Sequence, residues 1–161
     1  MEAAMNRHSA DHATFTIERT LPVAPAQAFR AWADPAVKER WFHGPDEWSQ
    51  SGYELDFRIG GHEHVAGGPP DGPRHTYDAR IEDIVPNERI VYTYDMYLDE
   101  QRISVSMSTV EFRPEGRGTR LIFTEQDVFL DGADSRGSRE SGTRDLLDQL
   151  EAVLIHSDTG L

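Results

Sequence analysis

The chain has no cysteine. Disulfides, thiolate nucleophiles and cysteine-held zinc are excluded with it, and an oxidising compartment is disfavoured, so the expected location is cytoplasmic. Positive charge is also scarce: 16 Lys and Arg face 29 Asp and Glu, a formal net charge of −13. Such a surface repels phosphate backbones and anionic head groups, so neither nucleic acid nor membrane is an expected partner. No apolar run approaches the roughly 20 residues that span a bilayer. The start, MEAAMNRHSADH, lacks the basic-then-apolar pattern of a secretory leader. Neither a GxSxG nucleophile elbow nor a GxxxxGKS or GxxxxGKT phosphate loop occurs.

What is present is enough for one domain with a core, since the chain has 161 residues. Its strongest signal is the last long segment, from Ser138 to His156. Leu146, Leu147, Leu150, Val153 and Leu154 form one apolar stripe at helical period, with Arg144, Asp145, Asp148, Gln149 and Glu151 on the other side. Burying each Leu or Val is worth roughly 1.5–3 kcal/mol, so the stripe needs a partner surface. Nearly everything upstream, from Ala13 to Val128, reads as strand. The expected architecture is α+β, one curved antiparallel sheet closing around a long C-terminal helix.

Residues 1–11 read as a disordered tail and residues 12–161 as a single domain. His12 to Leu21 alternates with β-branched and aromatic residues and reads as the first strand. Pro25, at a first helical position, opens a short helix carrying Ala28, Phe29 and Trp32. Asp34–Pro35 opens a second, with Asp34 as cap and Val37 and Trp41 as an i, i+4 pair. Gly44 and Pro45 end it. Trp48 to Leu55 reads as a strand with an irregularity at Ser51–Gly52. Phe57 to Val65 reads as another, bent at Gly60–Gly61. Ala66 to Pro73, AGGPPDGP, is a loop. Four further strands follow: His75 to Val85, Glu88 to Leu98, Ile103 to Arg113 and Thr119 to Val128, with turns at Pro86–Asn87 and Glu115 to Gly118.

Several residues carry candidate chemistry. Ile90, Tyr92, Tyr94 and Met96 share one strand face, and apolar residues with a polar tip or soft sulfur line ligand pockets as readily as they fill cores. Trp41, Phe42, His43 and Trp48 cluster beside the Gly–Pro break, where they either cap a cavity or anchor the short helices. Phe57 joins Trp41 and Trp48 as a candidate wall residue. Glu125 shares a face with Leu121 and Phe123. If that face is concave, the carboxyl enters an apolar cavity and desolvation raises its pKa, as a general acid or base requires; if the strand frays, Glu125 is wet at the mouth. Ser104, Ser106 and Ser108 alternate with Ile103, Val105 and Met107. The serines face out if the apolar set faces in, and in if Val110 and Phe112 set the register. His62 and His64 share a strand face, and His75 comes near them if the two strands pair. No spacing fixes a coordination shell, so no metal is expected, and no cofactor either.

Taken together, TIERTLPVAPAQAFRAWADPAVKERWF, LDFRIGG, IEDIVPNERIVYTY, VEFRPEGRGTRLIFTE and SGTRDLLDQL resemble a bacterial family. It is the family related to the C-terminal domain of the activator of the heat-shock-protein-90 ATPase, within the START-like helix-grip superfamily, and the resemblance runs from about His12 to His156. One departure stands out: the family often has Gly–Trp at the start of the last helix, where this chain has Gly142–Thr143. The resemblance implies a helix-grip fold with a cavity between sheet and helix. It does not imply one reaction, since fold does not fix function. The function expected is binding of a small apolar or amphipathic ligand, with Trp41, Trp48, Phe57, Tyr92, Tyr94, Met96, Phe123 and Glu125 as wall residues. The alternatives are a cyclase- or hydrolase-like enzyme using Glu125 or a histidine, and a chaperone-regulating module implied by the family alone. No catalytic residue is assigned, and a homodimer is left open.

Overall fold

Alternation along the strands sets the architecture. The computed structural model of the chain describes residues 8–159. Its strands are β1 (Ala10–Leu21), β2 (Ser49–Leu55), β3 (His62–Gly68), β4 (His75–Val85), β5 (Arg89–Leu98), β6 (Gln101–Glu115) and β7 (Gly118–Leu130). Helices α1 (Pro25–Ala33) and α2 (Pro35–Lys38) lie between β1 and β2, and α3 (Arg136–Thr159) closes the chain. All pairings are antiparallel, in the order β1-β7-β6-β5-β4-β3-β2. The two short helices thus connect the two edge strands, and α3 lies over the concave face. This is the helix-grip fold.

The inward face of β1 carries Phe15, Ile17 and Leu21, and that of β7 carries Leu121 and Phe123, all buried. Leu147, Leu150 and Leu154 of α3 are at most 2% exposed and press onto this face, so the predicted stripe is the helix's packing surface. Arg19 pins β1 to α3 from the rim, donating to Asp148 at 2.6 Å and Glu151 at 3.1 Å. In α1, Pro25 occupies the first turn and Ala28, Phe29, Ala31 and Trp32 are buried. Asp34 caps α2 by accepting from the Ala36 amide at 3.0 Å.

Three boundaries depart from the sequence reading. Ala10 and Asp11, assigned to the tail, extend β1 and pair with Leu130 and Phe129; residues 1–7 lie outside the described residues. Residues 56–61 are not strand: Gly60 has φ +84°, and a Cβ on Gly61 would strike the Asp56 carbonyl oxygen, so the glycine pair builds a tight turn before β3. β3 then continues through Gly68, pairing the first glycines of AGGPPDGP with β2 and β4.

Candidate functional site

The apolar stripe of α3 covers only part of the sheet. Towards the N-terminal end of the helix, Thr143 and Gly142 stand where longer side chains would reach the sheet, and a cavity of about 780 Å³ opens there. Its walls come from the concave face (Tyr77, Tyr92, Tyr94, Met96 and Phe123), from Trp32 of α1, and from the segment after α2 (Trp41, Phe42 and Trp48). A Cβ on Gly142 would meet nothing within 4 Å, and the Thr143 hydroxyl turns back to the Arg139 carbonyl at 2.9 Å. The mouth lies between α3 and residues 43–50. Gln149 holds these together, donating to the carbonyls of Trp41 at 2.6 Å and His43 at 3.2 Å.

One end of this cavity is polar. Glu125 is 1% exposed; its Oε2 accepts from the Tyr94 hydroxyl at 2.8 Å and its Oε1 from Ser108 at 2.9 Å. Arg139 enters from α3 and donates to the Tyr94 hydroxyl at 2.8 Å, Ser104 at 2.8 Å, Ser106 at 3.3 Å and Asp134 at 3.0 Å. Ser106 in turn donates to Asp127 at 2.6 Å. The guanidinium stands 3.7 Å from Glu125 and 3.6 Å from Asp127. Burial pushes the Glu125 carboxyl up to about 8, helped by the hydrogen bond to Asp127 and its charge, while Arg139 and Tyr94 pull it down. Glu125 is therefore mostly neutral at pH 7. Asp127 Oδ2 has no N–H or hydroxyl partner, and a protonated Glu125 two residues away supplies the donor it needs.

A second buried charge pair braces the wall. Lys38 Nζ donates to Glu63 at 2.7 Å, and Glu63 also accepts from the hydroxyls of Tyr53 at 2.7 Å and Tyr77 at 3.3 Å. Four rings surround the ammonium: Phe42 at 4.5 Å, Trp32 at 5.3 Å, Tyr92 at 5.7 Å and Trp41 at 5.9 Å. The pair ties α2 to β3 and fixes the rings that the cavity presents.

Seven of the eight expected wall residues meet at the cavity: Trp41, Trp48, Tyr92, Tyr94, Met96, Phe123 and Glu125. Phe57 does not. It sits in the turn before β3 and packs edge-on against Phe29 of α1, 5.7 Å between centroids. Of the two readings for Glu125, the structure has the buried one. The serines of β6 face inward, each at most 3% exposed, while Val105 and Met107 are outside. A bulge leaves Ile103 unpaired between Arg102 and Ser104, which sets this register. The histidines separate: His64 pairs with Asp78 on the outer face, whereas His75 stacks on Trp48 at 4.6 Å inside the mouth. Burial lowers the His75 pKa. Among the described residues no group of three potential ligands could hold a metal ion.

Arg139, Asp127, Lys38 and Glu63 escaped the sequence reading. Arg139 had a signal: with Thr143, Leu147, Leu150 and Leu154 it continues the helical stripe towards the N-terminus. Asp127 continues the Glu125 face by two.

With this geometry in hand, comparison with known proteins is decisive for the family. The model of the family described as Activator of Hsp90 ATPase homolog 1-like protein matches residues 22–155. The chain belongs to this family. Among solved structures, a protein of Rhizobium leguminosarum is 49% identical, with 94% of this chain and 99% of that one covered and a TM-score of 0.89. The Mll3558 protein of Rhizobium loti is 46% identical over 91% of this chain and 99% of its own, with a TM-score of 0.84. Protein CV1439 of Chromobacterium violaceum is 26% identical over 88% and 96%, with a TM-score of 0.74. Comparison with curated proteins returns no match. The family gives the chain a ligand-binding domain fold. Among the described residues no helix is long and apolar enough to cross a membrane.

Proposed function

We propose that this domain binds a small amphipathic organic molecule between its sheet and α3. The observation that carries the reading is the combination of aromatic walls with one confined polar end, in a space of about 780 Å³. Ligand sites are commonly roughly 300–1,000 Å³, mostly apolar, with a few convergent polar groups that fix orientation. Trp41, Trp48, Tyr92 and Phe123 supply apolar contact; Tyr94, Arg139 and Glu125 supply the polar end. Thr143, in place of the bulky residue frequent in the family, keeps the space open. The test is titration with a neutral environment-sensitive dye such as Nile red. The wild-type chain should bind it saturably and Thr143→Trp should not, at equal thermal stability; equal binding by both would contradict the assignment.

A second reading is favoured by Glu125 alone. A neutral carboxyl facing an apolar cavity can donate a proton to a bound carbonyl, and the carboxylate this leaves can take one from an adjacent carbon. In that reading the domain is an acid–base enzyme, and Glu125→Gln should leave dye binding intact while abolishing turnover of any bound compound that the wild type transforms.

A further inference from the structure

We infer that the polar end of the cavity selects a protonated amine over a carboxylate, so that the ligand is an aromatic or apolar body carrying a cationic nitrogen. The inference rests on the binding reading above and adds the charge of the head group to it.

The first observation is that the cation in the wall is already engaged. Among the described residues Arg139 is the one guanidinium lining the cavity. It contacts Asp134 at 3.0 Å, Asp127 at 3.6 Å and Glu125 at 3.7 Å, and donates to Tyr94, Ser104 and Ser106. An incoming carboxylate could reach it only by displacing these partners, and would meet the Asp134 carboxylate at the same place. At the mouth Asp145 and Asp148 add further negative charge, with Asp148 tied to Arg19. His75, lining the mouth, adds no fixed positive charge.

The second observation is independent of the carboxylates. The cavity walls are rich in aromatic rings, and four of these rings already hold a cation that does not itself line the cavity. Trp32, Trp41, Phe42 and Tyr92 surround the Lys38 ammonium within 6 Å and also line the cavity. Glu63 at 2.7 Å neutralises Lys38, so this internal ammonium does not bar a second cation. The third observation is the balance of hydrogen-bonding groups at the polar end. Arg139 spends its donors on Tyr94, Ser104, Ser106 and Asp134, while the Asp134 carboxylate that lines the cavity beside it has room to accept more, so the cavity side of this end offers acceptors rather than free donors. An ammonium brings three donors and no acceptor; a carboxylate brings only acceptors.

Three compounds with one naphthyl body test this: naphthylethylamine, naphthylethanol and naphthylacetate, titrated into the full chain near pH 7 by calorimetry. The amine should bind more tightly than the alcohol and at least about tenfold more tightly than the acid. Asp134→Asn should narrow the amine's advantage over the alcohol, read as the ratio of the two affinities measured in the same variant. Asp83→Asn, which removes the same charge beside Arg89 at the far end of β4, outside the cavity lining, should not narrow it. If the alcohol binds and the acid binds as tightly as the amine, the charge inference fails and the cavity reading stands. If the two aspartate variants narrow the advantage equally, the preference comes from the net charge of the molecule and the assignment to the polar end is overturned. If none of the three binds, the cavity reading itself fails.

Discussion

Replacing Glu125 by Gln should change how the stability of this domain depends on pH. In the unfolded chain Glu125 titrates near its ordinary 4.5; in the folded chain it titrates at about 8. Between these values the folded state keeps the proton and the unfolded state has lost it, so the contribution of the neutral carboxyl declines as pH rises. That contribution is complete below the unfolded value and gone above the folded one. The slope for one group is roughly 1.4 kcal/mol per pH unit, which sums to several kcal/mol across the window. For a domain whose total stability is typically about 5–15 kcal/mol, the effect is large. A carboxamide has the same shape, does not titrate, and can still donate to Asp127 while accepting from Tyr94 or Ser108. Glu125→Gln should therefore lie within about 1 kcal/mol of wild type near pH 5, become the more stable protein as pH rises through this window, and gain nothing further above about 8. Urea denaturation of both proteins across this range gives the answer by difference, since the remaining titrating groups largely cancel. A difference that stays flat from pH 5 to pH 8.5 would refute the claim that Glu125 is buried and neutral in the folded state.

Other perturbations have equally definite outcomes. Lys38→Met leaves Glu63 as a buried carboxylate with only tyrosine donors and should cost about 3–5 kcal/mol; the double change Lys38→Met, Glu63→Gln should recover most of it, and thermal melts of both that coincide would argue against the pair. Leu150→Asp puts a charge at a position that is 1% exposed in the helix–sheet contact, and should unfold the domain; an unchanged melting temperature would refute the packing of α3. Gly61→Ala should cost more than the roughly 1 kcal/mol of an ordinary surface glycine change, because its Cβ meets backbone at Asp56; circular dichroism melts check this.

Much of the fold could be read because its signals were local. Period-two alternation marks the strands, Pro25 and the Asp34–Pro35 pair mark the two short helices, and the Leu146 to Leu154 stripe marks the packed face of α3. What stayed open or unread lies mostly where a distant contact decides. In β6 both faces alternate plausibly, and the choice was made by a bulge at Ile103 and by Arg139, 35 residues from Ser104, which the serines satisfy. Glu125 can be buried because the same arginine, Tyr94 and Ser108 converge on it, from three other elements. Lys38 looks like a solvated helix residue until Glu63, 25 residues away, is folded against it. Gly60–Gly61 failed for a local reason: a positive φ makes a turn rather than a bend within a strand. Phe57 followed that turn away from the cavity.

The central claim is that the space between sheet and helix is a binding cavity. Its most direct test uses the three tryptophans of the chain, Trp32, Trp41 and Trp48, all of which line it. Their indole N–H signals can be followed in a proton–nitrogen correlation spectrum while naphthylethanol is added. The account predicts that all three move saturably with one common affinity in the wild type and stay fixed in Thr143→Trp. Indole signals that do not move in the wild type, or that move equally in both proteins, would contradict it.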